Sequence, residues 1–124
     1  MYERVGGEEF FRSLVDRFYS GVAHDPVLRP LYPDDLEAPN EHLRMFLVQY
    51  WGGPQTYREQ RGHPRLRMRH VPFAIGLVER DAWLNLMLSA LAEAGLEEGD
   101  EAEMAEYFRV AATQLINQPG RPPR

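Results

Sequence analysis

Cysteine and lysine are both absent from the 124 residues of this chain. Without thiols there can be no disulfide, thiolate nucleophile, iron–sulfur cluster or cysteine-ligated zinc. All 14 basic residues are therefore arginine. Long hydrophobic runs are missing too: nothing approaches the ~20 apolar residues of a membrane-spanning helix. The opening Met1-Tyr2-Glu3-Arg4-Val5-Gly6-Gly7 lacks the charged-then-apolar pattern of a secretory signal. Positive charge is in short supply, with a formal net charge of -5 and a pI of about 5.3. That balance argues against bulk attraction to nucleic acid or to an anionic membrane. The expectation is a cytoplasmic protein with neither as a partner.

Alternating apolar and polar residues of strand type are also lacking. Helical periodicity runs through most of the chain instead. Phe11, Leu14, Val15, Phe18 and Val22 recur at three- and four-residue steps and share one helix face. Glu8 and Glu9 suit the positive end of that helix, which closes at Asp25-Pro26. Val27 to Tyr32 reads as a short helix or turn. Asn40 is the expected cap of a second main helix with the stripe Leu43, Phe46, Leu47 and Tyr50, stopped by Gly52-Gly53-Pro54. Gln55 to Gly62 is polar and expected to be a loop. His63-Pro64 fits a cap followed by proline at the first helical position, opening a short helix that ends near His70. From Ile75 a third main helix presents Ile75, Val78, Trp83, Leu86, Met87, Ala90 and Leu91, and ends at Gly95. Asp100 is the expected cap of the last, with Met104, Tyr107, Phe108, Ala111, Ala112, Leu115 and Ile116 facing inward. The expected class is all-α: one domain over 1–118 and a disordered tail over 119–124. With 44% hydrophobic residues, a chain this long can bury an ordinary core.

Arg61 to Phe73 carries the densest chemistry. His70 closes a short basic helix just before Pro72, where an imidazole can be structural or an axial metal ligand. His63 lies two helical turns earlier on the same face, so a two-histidine metal site is conceivable, although no nearby carboxylate completes a zinc set. A single strong nitrogen ligand suits haem iron, whose porphyrin supplies the other four. Arg61, Arg65, Arg67 and Arg69 are either a solvated face or a site for carboxylates such as haem propionates. Tyr19, Tyr32 and Trp83 each join an apolar body to one hydrogen-bond donor. Three such donors can converge on a ligand that gains negative charge. The stripe Leu43, Phe46, Leu47 can be plain core or one wall of a haem slot.

Together these segments resemble a known family. Tyr50-Trp51-Gly52-Gly53-Pro54-Gln55-Thr56-Tyr57, Arg61-Gly62-His63-Pro64-Arg65-Leu66-Arg67-Met68-Arg69-His70, Pro72-Phe73 and Arg80-Asp81-Ala82-Trp83-Leu84 are similar to group II truncated haemoglobins. So are Phe18-Tyr19 and the stretch from Asp25 to Pro33. The resemblance runs from about Tyr2 to Asn117. It implies a truncated globin, a two-over-two helical sandwich around haem b (iron protoporphyrin IX). It implies His70 as the proximal iron ligand, and Tyr19, Tyr32 and Trp83 as a distal cluster beside an apolar Leu43. Phe46, Leu47, Leu66, Met68, Phe73 and Ile75 would pack the porphyrin. Tyr57, His63, Arg65 and Arg69 would meet the propionate edge. The usual distal-histidine position falls near Pro39, and His42, next to Leu43, is expected to point away from the ligand.

The function implied is binding of dioxygen and other diatomic ligands at ferrous iron. Three converging donors imply slow oxygen release, which suits redox or detoxification chemistry better than bulk transport. A peroxidase-like or nitric oxide dioxygenase-like enzyme is an alternative, and a cofactor-free helical interaction module another. An unidentified reductase is the expected partner, with the chain a monomer or homodimer.

Overall fold

Gly6 and Gly7 take positive φ angles of 117° and 65°, and there the chain turns from a four-residue helix into its first long one. This computed structural model describes residues 1–117, except for the side chain of Arg67. The expected tail over 119–124 lies outside the described residues. The helices are α1 (Tyr2–Val5), α2 (Gly7–Val22), α3 (Glu37–Tyr50), α4 (Thr56–Arg61), α5 (Leu66–His70), α6 (Leu77–Ala92) and α7 (Glu98–Gln114). A 3₁₀ turn, Arg29–Leu31, sits between α2 and α3. No strand occurs among the described residues.

Two helix pairs make the sandwich. α2 packs on α3, α6 packs on α7, and α2 crosses α6 to join the pairs. The apolar face of α2 is the shared surface: Phe11, Leu14, Val15, Phe18 and Val22 are all fully buried. Each such side chain contributes about 1.5–3 kcal/mol through burial. Met87 and Leu91 of α6 and Met104 and Phe108 of α7 close the core from the other side. Gly21 permits the α2–α6 crossing, because a Cβ there would lie 2.7 Å from Leu86 Cδ2. That close approach matters for the site, since Tyr19 lies on α2 and Trp83 on α6.

Several boundaries differ from the sequence expectation. Glu37 already begins α3, so Asn40 lies inside the helix and its amide donates to Asp16 instead of capping. The start is held by Asp35, whose carboxylate accepts the Glu37 N–H. Gln55 to Gly62 is not a loop: Thr56–Arg61 is helical, and buried Tyr57 anchors it. Tyr57 presents its ring to Phe46, a tertiary contact that local polarity does not reveal. α5 starts at Leu66, not at Pro64, with Arg65 ahead of it in the left-handed region at φ 46°. His63 still works locally, as its Nδ1 accepts the Arg65 N–H. α6 begins at Leu77, two residues after Ile75, where the Glu79 carboxylate accepts the Gly76 N–H. Asp100 lies within the first turn of α7, and its carboxylate takes a bidentate pair from Arg4 of α1. Helix α1 itself has no counterpart in the sequence reading. Inward positions also shift by a residue: Met45 and Val48 are buried on α3, while Tyr50 is half exposed.

Candidate functional site

The side expected to be proximal is the short helix α5. His70 is its last residue, and Nδ1 lies 2.6 Å from the Leu66 carbonyl oxygen, one turn earlier. A carbonyl only accepts, so Nδ1 carries the proton and donates. The ring is thereby fixed in the tautomer whose Nε2 lone pair is unprotonated. An imidazole held in this way is the usual form of a histidine metal ligand. Around it lies apolar surface open to solvent: Met68, Val71, Phe73, Leu77 and Val78 are all exposed.

The residues expected on the distal side are built into the core. Tyr19 is buried at 7% exposure, and Tyr32 comes from the turn after α2 to meet it, ring centroids 5.6 Å apart and nearly perpendicular. Trp83 lies between Phe18 at 5.2 Å and Phe108 at 5.9 Å. Burial raises the pKa of both tyrosines: Tyr32 is pushed up to about 12, and Tyr19 rises further. Tyr19 and Trp83 both act on the Tyr32 hydroxyl and pull its pKa down against burial, and the indole N–H of Trp83 can only donate. Leu43 and Phe46 of α3 are partly buried against the core, whereas Leu47 is fully buried in it.

The raised pKa values carry a consequence for stability. A phenol whose folded-state pKa exceeds its unfolded value stabilises the fold fully below the unfolded value and loses that stabilisation as pH climbs through the folded one. For Tyr32 the window runs from 10.0 to about 12. The melting temperature is expected to be insensitive to these tyrosines below pH 10 and to fall steeply above it. In Tyr19→Phe the alkaline fall should be shallower, and an unchanged slope would contradict the assignment.

A third cluster sits at the edge of α3, α4 and α5. The guanidinium groups of Arg61 and Arg69 lie 5.8 and 5.9 Å from the Tyr57 ring centroid. Arg69 donates to the carbonyls of Pro64 (2.7 Å) and Arg61 (3.0 Å), so it braces the α4–α5 connection. Arg61 lies 3.1 Å from His42 Nε2. Arginine only donates, so that nitrogen is the acceptor and its lone pair is taken. Burial, then the Arg61 charge, lowers the His42 pKa and keeps the ring neutral. The Nε of Arg61 is buried with no hydrogen-bond partner among the described residues. The sequence points His42 away from the ligand and places Arg61 among four arginines suited to carboxylates. The spacing of His42 and Arg61 across two helices gave no local signal for their pairing. His63 and Arg65 are exposed and stand outside this cluster.

These observations fit a porphyrin. One imidazole nitrogen is free to ligate, apolar surface flanks it, and an arginine with a spare buried donor stands at the edge. The sequence profile of the bacterial-like globins matches residues 1–117. The chain belongs to this family. Within these globins it is a group II truncated haemoglobin, at 42% identity to the group 2 truncated hemoglobin YjbI of Bacillus subtilis over 94% of this chain and 88% of that one. The fold superposes on the hemoglobin of the thermophilic phototroph Chloroflexus aurantiacus with a TM-score of 0.92, 59% identity, and 94% and 97% of the two chains covered. It also superposes on a truncated oxygen-avid haemoglobin from Bacillus subtilis, with a TM-score of 0.88, 41% identity and coverage of 94% and 98%. The truncated-globin sandwich and haem-based ligand binding follow from that membership. No helix among the described residues is long and apolar enough to cross a membrane.

Proposed function

We propose that this truncated haemoglobin binds haem b through His70 and holds dioxygen with slow release, serving redox chemistry on small reactive species. Haem supplies a ferrous iron able to take a diatomic ligand. The observation that carries the reading is the convergence of donors in the core: Tyr19 and Tyr32 meet with ring centroids 5.6 Å apart, and Tyr19 and Trp83 both act on the Tyr32 hydroxyl. Tyr32 thus has two polar neighbours, and its O–H is the donor proposed for the ligand. With a pKa near 12, that proton is not lost at neutral pH. A donor to an acceptor that gains charge contributes roughly 1.5–3 kcal/mol. Retention on that scale suits a protein that reacts with its ligand, since a carrier must unload. The description of the Bacillus subtilis relative as oxygen-avid supports the same direction.

On the proximal side, Leu66 holds the His70 ring by its carbonyl, and Met68, Phe73 and Ile75 supply apolar surface. Arg61, with His42 and Tyr57, forms the edge suited to propionates; Arg69 supports it through the backbone. Domain extent follows the same reading, with the globin unit over 1–118. The test is the absorption spectrum of the purified protein supplied with haem, ferric and then ferrous with carbon monoxide. A Soret band of the single-histidine type is expected in both. Its absence would leave a helical protein without this function.

A further inference from the structure

Between His70 and Leu77 the chain has no regular structure, and Val71, Pro72, Phe73 and Ala74 are all exposed. Packing therefore does little to fix this segment, although it begins at the proximal histidine. One side chain from elsewhere holds it. Asn117, just beyond α7, donates its Nδ2 to the His70 carbonyl (3.1 Å) and to the Phe73 carbonyl (2.7 Å). Its Oδ1 accepts the Ile75 N–H at 2.9 Å. Its backbone N–H donates to the Ile75 carbonyl at 2.8 Å. Both halves of one amide are used, so one residue ties three backbone groups of the segment together, and the His70 carbonyl also accepts the Phe73 N–H at 3.0 Å.

Given the haem reading above, we propose that Asn117 is a positioning residue for His70 and sets the spacing of the haem slot. Trp83 lies on α6, and α6 packs along α7. Asn117 follows α7 and grips the carbonyl of His70 itself. The distal donors and the proximal ligand are thus referred to the same helix pair. Arg69 fixes the start of α5 to α4, and Asn117 fixes its end to α7. Without the second tie, α5 hangs from its first turn only, and Nε2 can move relative to Trp83. Only a short side chain with both a donor and an acceptor meets the geometry. Aspartate keeps the acceptor but sets a carboxylate against two carbonyl oxygens. Alanine removes all three side-chain bonds.

Asn117→Ala and Asn117→Asp test this with two readouts. In the apoprotein, amide hydrogen exchange should lose protection at Ile75 in the alanine variant and keep it better in the aspartate variant. In the ferrous holoprotein, both should shift and broaden the iron–histidine stretching band in resonance Raman spectra. Haem transfer to a competing apoglobin should quicken by about tenfold, equivalent to about 1.4 kcal/mol. An unchanged iron–histidine band with a lowered melting temperature would make Asn117 merely structural and overturn the proposal. Should alanine prevent folding, the isosteric aspartate variant decides by the same band. Loss of Ile75 protection in a chain whose wild type takes up no haem would instead refute the haem reading and leave the backbone clamp standing.

Discussion

His70→Ala protein supplied with haem is expected to show no histidine-ligated Soret band, while its far-ultraviolet helical signal is retained. The loss should be near complete because no other imidazole is placed to substitute. His42 Nε2 accepts from Arg61, and His63 Nδ1 accepts the Arg65 N–H. His24 lies exposed at the end of α2. The fold should survive, since His70 is outside the core built on α2, α6 and α7. Added imidazole should restore ligation by entering the space the side chain leaves. That rescue separates a lost ligand from a damaged fold. Persistence of the wild-type spectrum in His70→Ala would assign the iron to another residue.

Oxygen should leave the ferrous Tyr32→Phe/Trp83→Phe protein about 10–150-fold faster than the wild type. This is the rate equivalent of one charge-assisted hydrogen bond of roughly 1.5–3 kcal/mol. The double variant is the decisive one. Tyr32→Phe alone removes an acceptor as well as a donor, which frees the Tyr19 O–H and the Trp83 N–H to turn toward the ligand. Part of the effect is then recovered, so the single variant should release oxygen more slowly than the double. Tyr19→Phe should act indirectly, by loosening the hold on Tyr32. Stopped-flow displacement of oxygen by carbon monoxide measures all four proteins. An unchanged off-rate in the double variant would remove the distal cluster from the explanation of ligand retention.

Long amphipathic periods were the most legible part of the sequence. The face of α2 is buried residue for residue as its spacing indicates. This works because α2 is central, and a helix covered on one broad face displays that face in its sequence. α3 and α6 were less legible. α3 is covered on two sides, so Met45 and Val48 are as buried as Leu47. α4 was missed because its burial rests on one residue, Tyr57, and on a ring from another helix. Capping residues misled for a related reason. Asn40 and Asp100 have the right chemistry for a helix start, but Asp16 and Arg4 bind them one turn further in. In the site, His70, Tyr19, Tyr32 and Trp83 are singled out by family resemblance, while the meeting of Tyr19 with Tyr32 inside the core depends on how the turn after α2 folds back. Asn117 reads in sequence as a helix end, and its grip on the His70 carbonyl is visible only once the fold is closed.

On the function proposed, the two walls of the haem slot are made of different material. On the distal side Tyr19 is also a core residue, edge-on to Phe18 at 5.0 Å. Any substitution that retunes ligand retention there must also repack the centre of the molecule, where overpacking or a void typically costs 1–3 kcal/mol or more. The proximal wall is a five-residue helix and an exposed connection held by hydrogen bonds to backbone carbonyls. Variation at Met68, Val71 or Phe73 leaves the core untouched. Evolution, or an engineer, therefore has unequal freedom on the two faces: cofactor hold and iron reactivity can drift from the proximal side with the fold intact. Ligand discrimination is tied to the stability of the whole chain.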